Sequence, residues 1–147
     1  VGDGLLKEQI QEKIKTKNLQ DSIILKTFTN TIEQEYLQAS IYAMTSHFEG
    51  LPMVLVESAS FVLPQISFDI NTGPSDIIEN EKSVFLIPDG DLAGYAEKLK
   101  ALMQDQNLRE SMGKRAKEIA QEKFSKEVIM KKWFELFERL SIQEMKY

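Results

Sequence analysis

Residues 41–57 read Ile41-Tyr-Ala-Met-Thr-Ser-His-Phe-Glu-Gly-Leu-Pro-Met-Val-Leu-Val-Glu57. Four apolar residues, Ile41 to Met44, have the length and composition of a strand buried on both faces. Polar groups then arrive together at Thr45-Ser46 and continue to Glu49. Gly50 allows an unusual backbone or a close approach by a ligand. Pro52 suits the first turn of a helix, which the apolar spacing carries over residues 53–61. Strand, polar loop and helix in this order form the repeating unit of a parallel α/β sheet.

The same alternation extends in both directions. Downstream, Pro64 to Phe68 reads as a strand with its loop at Asp69 to Gly73, followed by a short helix from Pro74 to Asn80. Val84-Phe-Leu-Ile87 is another strand, and Asp91 is placed to cap a helix over 92–103. Further helices are predicted from Asn107 to about Lys123 and, capped by Ser125, over about 125–141. The last carries Ile129, Trp133, Phe134, Phe137 and Leu140, a stripe assigned to the core. Upstream, Leu6, Ile10 and Ile14 recur every fourth residue in a helix over 5–17 that Asn18 stops. Ile23-Ile-Leu25 reads as a strand, Thr29-Asn-Thr31 as a capping turn and Glu33 to Gln38 as a short helix. Val1-Gly-Asp-Gly4 reads as the tail of a strand, so a preceding strand is expected and the chain reads as cut at its N-terminus.

Composition narrows the chemistry. The chain has 147 residues, 42% apolar and 28% charged, which are the proportions of one globular domain or most of one. With 18 basic against 23 acidic side chains the net charge is −5, which disfavours a broad nucleic-acid-binding face. There is no cysteine, so disulfides, zinc fingers and thiol nucleophiles are excluded, and His47 is the single histidine. No metal site is expected. Arg109 to Lys132 is mildly basic and reads as a solvated helical surface.

In a doubly wound sheet, ligands sit at the carboxyl ends of the strands. Four loops qualify: 26–31, 45–52, 69–74 and 88–91. The second combines Ser46, His47, Glu49 and Gly50 with a helix N-terminus, whose free N–H groups can hold a diphosphate without a basic side chain. Asn71-Thr-Gly-Pro74 offers a second terminus of that kind. Glu49 falls at the mouth of the helix and Glu57 about one and a half turns inside it. A carboxylate in the inner position suits the hydroxyl pair of a ribose. Asp69 and Asp76 read as caps or turn residues. Gly2 and Gly4 lack the third glycine of a dinucleotide fingerprint.

Glu49 to Glu57 is an E-x7-E spacing inside an EGxP context, with a strand before it and a helix after. On these residues the chain resembles the C-terminal, donor-binding domain of retaining GT-B-fold glycosyltransferases of the family-4 (glycosyl transferases group 1) type. Val1-Gly-Asp-Gly4, Ala39-Ser-Ile-Tyr42, Leu63-Pro64, Gly73-Pro74, Ile77-Ile78, Pro88-Asp-Gly-Asp91, Arg109 to Ala116 and Phe124-Ser125 extend the likeness to about residue 137.

The resemblance implies an α/β, Rossmann-like parallel sheet with helices on both faces, its first strand–helix–strand missing, so that residues 1–147 form a partial nucleotide-sugar-binding domain. It implies transfer of a sugar from a UDP- or GDP-sugar to an acceptor hydroxyl with retention of configuration, and no permanently bound cofactor. Glu49 corresponds to the catalytic glutamate. Gly50, Leu51, Met53, Val54 and Glu57 correspond to donor-binding positions, with Ser46, His47 and Phe28 as further candidates. The missing N-terminal domain, a carbohydrate or lipid-linked acceptor, bacterial polysaccharide biosynthesis and a cytoplasmic place at the inner membrane face belong to the same expectation. The isolated fragment is then expected to be inactive and to self-associate through exposed apolar surface. The alternatives are a degenerate, non-catalytic module of the same fold and a nucleotide-sugar epimerase. The chain departs from the family by Thr27, Val62 and Val84 where glycine is common, and by Gln65 where an apolar strand residue is usual.

Overall fold

The computed structural model describes residues 1–70, 77 and 80–144, with side chains to residue 141. The loop expected at 71–74, most of the helix expected to Asn80, and Asp76 lie outside the described residues. The chain forms two compact units, Val1–Glu35 and Tyr36–Tyr147.

In the first unit, α1 spans Lys7–Thr16. Asn18 stops it as expected, in the left-handed region at φ 54°. Its N–H donates to Lys15 O and that of Leu19 to Ile14 O, the paired bonds that satisfy a helix's last carbonyls. The strand expected at Ile23 to Leu25 does not form: these side chains are exposed, Ile24 at 75%. An apolar run becomes a strand only where a neighbour takes its backbone groups. Here Gly2 N–H reaches Lys26 O at 2.9 Å, and no ladder follows among the described residues. α2, Ile32–Gln38, runs across the division between the units.

The second unit is built on three parallel strands in the order β1 (Tyr42–Met44), β2 (Gln65–Asp69), β3 (Val84–Pro88). Tyr42 stands opposite Gln65, and Gln65 opposite Val84. Helices α3 (Met53–Ser60), α4 (Leu92–Gln104), α5 (Gln106–Phe124) and α6 (Lys126–Glu144) complete it. Alternation along the strands divides the core between the two sheet faces. Met44 and Val84 pack with Leu55, Val56 and Ala59 of α3 and Ala116 and Ala120 of α5. Ile66, Phe68, Phe85 and Ile87 pack with Tyr95 and Leu102 of α4 and Met112 of α5. Leu55, Ile66 and Leu102 are wholly buried, each stabilising the fold by roughly 1.5–3 kcal/mol.

Caps explain where the helices begin. Asp91 accepts from Gly94 N–H at 2.9 Å, as its position predicts. Asp105 does the same for α5 through Leu108 N–H at 2.9 Å, so α5 starts earlier than Asn107. Gln65, wholly buried where an apolar residue was expected, donates from Nε2 to Leu55 O and to Ser58 Oγ, tying β2 to α3.

Of the three departures from glycine, only Val62 sits in the left-handed region, at φ 63°. Val84 is an ordinary buried residue of β3, and Thr27 has no positive φ. The core assignment of the α6 stripe is overturned. Phe134 is 60% exposed and Trp133, Phe137 and Leu140 about half, with Trp133 stacked on Phe137 at 5.7 Å. Both sheet faces are already covered by α3, α5 and α4, and α6 packs chiefly against α5. No helix among the described residues is long and apolar enough to cross a membrane.

Candidate functional site

The loops that leave β1 and β3 meet at the carboxyl edge of the sheet. His47 follows β1, and its Nδ1 lies 2.7 Å from Oδ1 of Asp89, which follows β3. Its ring stacks on Phe68 of β2, with centroids 5.7 Å apart and planes 16° from parallel. The imidazole is therefore held from two sides although its side chain is 72% exposed. Asp89 lies in the 88–91 loop, one of the four expected to meet a ligand, but was not itself singled out. Its partner is 42 positions away, and spacing along the chain gives no sign of it.

Glu49 is half-buried in the loop, and Glu57 is exposed on α3. Both carboxylates bear on the phenol of Tyr42. Burial pushes its pKa up to about 12, and the charges of Glu49 and then Glu57 push in the same direction. The charges of both glutamates thus reach one tyrosine. Tyr36 of α2 donates from its hydroxyl to Glu57 Oε2 at 3.3 Å. Neither tyrosine was singled out from the sequence as a site residue, because an aromatic on an apolar face reads as core.

The N-terminus of α3 completes the arrangement. Pro52 is buried, contributes no N–H and leaves the helix without a side-chain cap. Met53 N–H is taken by Leu51 O at 2.8 Å and Leu55 N–H by Pro52 O at 2.9 Å. Val54 N–H has no acceptor among the described residues. Leu51 and Met53 are about half exposed beside it. A Cβ added to Gly50 would meet nothing within 4 Å, and its φ is not positive. Nothing among the described residues requires glycine there. Ser46 is half-buried in the same loop. Phe28 belongs to the other unit and is 74% exposed. Among the described residues no group of three or more acidic or histidine side chains is placed to hold a metal ion.

A concavity of about 460 Å³ lies at the opposite, amino edge, lined by Ser40, Phe61, Val62, Arg109 and Lys114 among others. Arg109 there donates from Nη1 to Leu102 O (2.7 Å) and Met103 O (3.2 Å), closing the end of α4. Its guanidinium is committed to the helix end, and the strand termini that bind ligands in such sheets face the other way.

Two tyrosines, Tyr42 and the core residue Tyr95, give the protein an alkaline limit. Tyr95, which donates to Met44 O and Ile66 O, is also pushed up to about 12, chiefly by burial. Between pH 10 and 12 the unfolded chain has lost phenolic protons that the native state still holds. Stability is therefore level below pH 10 and falls from 10 to 12, by roughly 1 kcal/mol per tyrosine after solvent screening. Urea midpoints at pH 9, 10 and 11.5 check this, with Tyr95→Phe expected to flatten the decline. A midpoint unchanged at pH 11.5 would count against it.

The three-stranded parallel sheet with its covering helices has the fold of a GT-B C-terminal domain. The chain belongs to the family of glycosyl transferases group 1, whose pattern matches residues 1–119. It is 34% identical over 136 residues, 92% of its length, to the poly(ribitol-phosphate) alpha-N-acetylglucosaminyltransferase of Staphylococcus aureus, of which it spans 28%. The crystal structure of a Staphylococcus aureus TarM mutant with fondaparinux, alpha-GlcNAc-glycerol and UDP superposes with a TM-score of 0.86 at 34% identity, over 91% of this chain and 27% of that one. The C-terminal domain of a Francisella tularensis group 1 protein, LpcC, shares the fold, with a TM-score of 0.72 at 22% identity over 82% of this chain and 63% of that one.

Proposed function

We propose that this chain binds the nucleoside-diphosphate sugar in a retaining glycosyltransferase, with UDP-sugar as donor and a hydroxyl of a carbohydrate or polyol-phosphate polymer as acceptor. The observation that carries the reading is the uncapped N-terminus of α3, with Glu49 in the loop before it and Glu57 on the helix itself. Glu57 accepts from the ribose hydroxyls. Val54 N–H and the positive end of α3 face the diphosphate, where negative charge grows as the sugar leaves. Glu49 faces the anomeric carbon and offsets its developing positive charge. The leaving phosphate oxygen takes the acceptor's proton on the face it vacates, which retains configuration. The UDP in the TarM complex, at 34% identity, supports uracil as the base.

Calorimetric titration of the full natural-length protein with UDP, GDP and ADP tests this. UDP is expected to bind at micromolar concentration, and Glu57→Ala to weaken it at least tenfold, about 1.4 kcal/mol. Binding of none of the three nucleotides would favour a non-catalytic module. Conversion of a UDP-sugar to its epimer without an acceptor would favour an epimerase.

A further inference from the structure

We infer that Tyr36 is a positioning residue for the nucleotide's ribose, holding Glu57 so that the site prefers ribose to 2′-deoxyribose. The inference rests on the assignment of Glu57 to the ribose. Tyr36 is the one buried residue of α2, at 6% exposure. Its ring meets Tyr42 edge-on at 6.0 Å and Phe61 at 5.3 Å, which pins it between β1 and the end of α3. Phenylalanine would serve that packing equally well. The hydroxyl goes instead to Glu57 Oε2, at 3.3 Å.

Glu57 needs such a partner. It is exposed and forms no ion pair among the described residues, so on its own it would sample many rotamers that binding must then restrict. A buried phenol restricts them beforehand. The contact is long for an O–H···O bond, and such bonds tighten when a ligand seats. One phenolic donor on Oε2 leaves Oε1 and a lone pair of Oε2 for two further donors, the number that a ribose 2′,3′-diol supplies and a 2′-deoxyribose does not. Tyr42 stands beside them as a second phenol that stays protonated, so it adds no charge of its own.

The test compares UDP with 2′-deoxy-UDP by calorimetry in the full natural-length protein, as wild type, Tyr36→Phe, Glu57→Gln and the double variant. The wild type is expected to prefer UDP at least tenfold. Tyr36→Phe should weaken UDP three- to tenfold and 2′-deoxy-UDP, which keeps only the 3′-hydroxyl for Glu57, clearly less, so the preference shrinks, and the double variant should be no worse than Glu57→Gln alone. A preference kept intact in Tyr36→Phe but lost in Glu57→Gln overturns the role of Tyr36 and leaves the ribose assignment standing. Equal weakening of both ligands by Tyr36→Phe marks a packing role and also overturns it. A preference that survives Glu57→Gln overturns the ribose assignment and the role of Tyr36 with it.

Discussion

Gly113→Ala is expected to destabilise the protein by about 3 kcal/mol, against the ordinary preference of a helix for alanine. Gly113 lies in the middle of α5, where glycine costs about 1 kcal/mol relative to alanine. A Cβ there would stand 2.0 Å from Val62 O and 2.9 Å from Val62 C. Both are backbone atoms, so no side-chain rotation relieves the overlap. α5 would have to move off residues 62–64, and it carries Met112, Ala116 and Ile119, each 1% exposed. The opposing backbone is itself strained, because Val62 is β-branched and held at φ 63°. Val62→Gly removes that strain and is expected to stabilise by about 1 kcal/mol. Urea unfolding of both variants measures the pair. Gly113→Ala within 0.5 kcal/mol of wild type would mean that α5 does not approach residue 62 this closely, about the scatter of surface substitutions.

The strands that form are those that find a parallel partner in one another. Ile41 to Met44, Pro64 to Phe68 and Val84 to Ile87 all became rungs of one parallel sheet. Ile23 to Leu25 has the same composition and stayed exposed, because a strand is a property of its neighbour as much as of its own residues. The α6 stripe failed in a related way. Helical period marks which residues share a face, and says nothing of whether another surface covers it. Caps depend on one side chain and its own backbone, which is why Asn18 and Asp91 were legible. Asp105 was missed because it closes α4 and opens α5 at once. In the candidate site, Glu49 and Glu57 were singled out through the family resemblance that their spacing around Gly50 and Pro52 carries, and their roles stand as proposed above. Tyr36 and Asp89 were not, since each acts on a residue 21 or 42 positions distant that only the folded sheet brings near.

Glu49→Gln should separate chemistry from binding. The substitution keeps the shape of the side chain and removes its charge. If Glu49 faces the anomeric carbon, its charge matters most when positive charge develops there, and less while the donor merely binds. A loss of about 2.7 kcal/mol in the transition state lowers kcat about 100-fold. The affinity for UDP should stay within threefold, because UDP carries no sugar. Glu57→Ala should show the opposite split, with its main loss in nucleotide binding. A second readout is independent of turnover. Glu49 is the larger of the two charges that hold the Tyr42 phenol up, after burial, so Glu49→Gln should bring that phenol part of the way down from about 12. Steady-state assays with a UDP-sugar and acceptor, beside a spectroscopic titration of the tyrosines, measure both effects. A lowered phenol with kcat within threefold of wild type would leave Glu49 beside Tyr42 and remove it from the chemistry. An unchanged phenol would remove it from the site altogether.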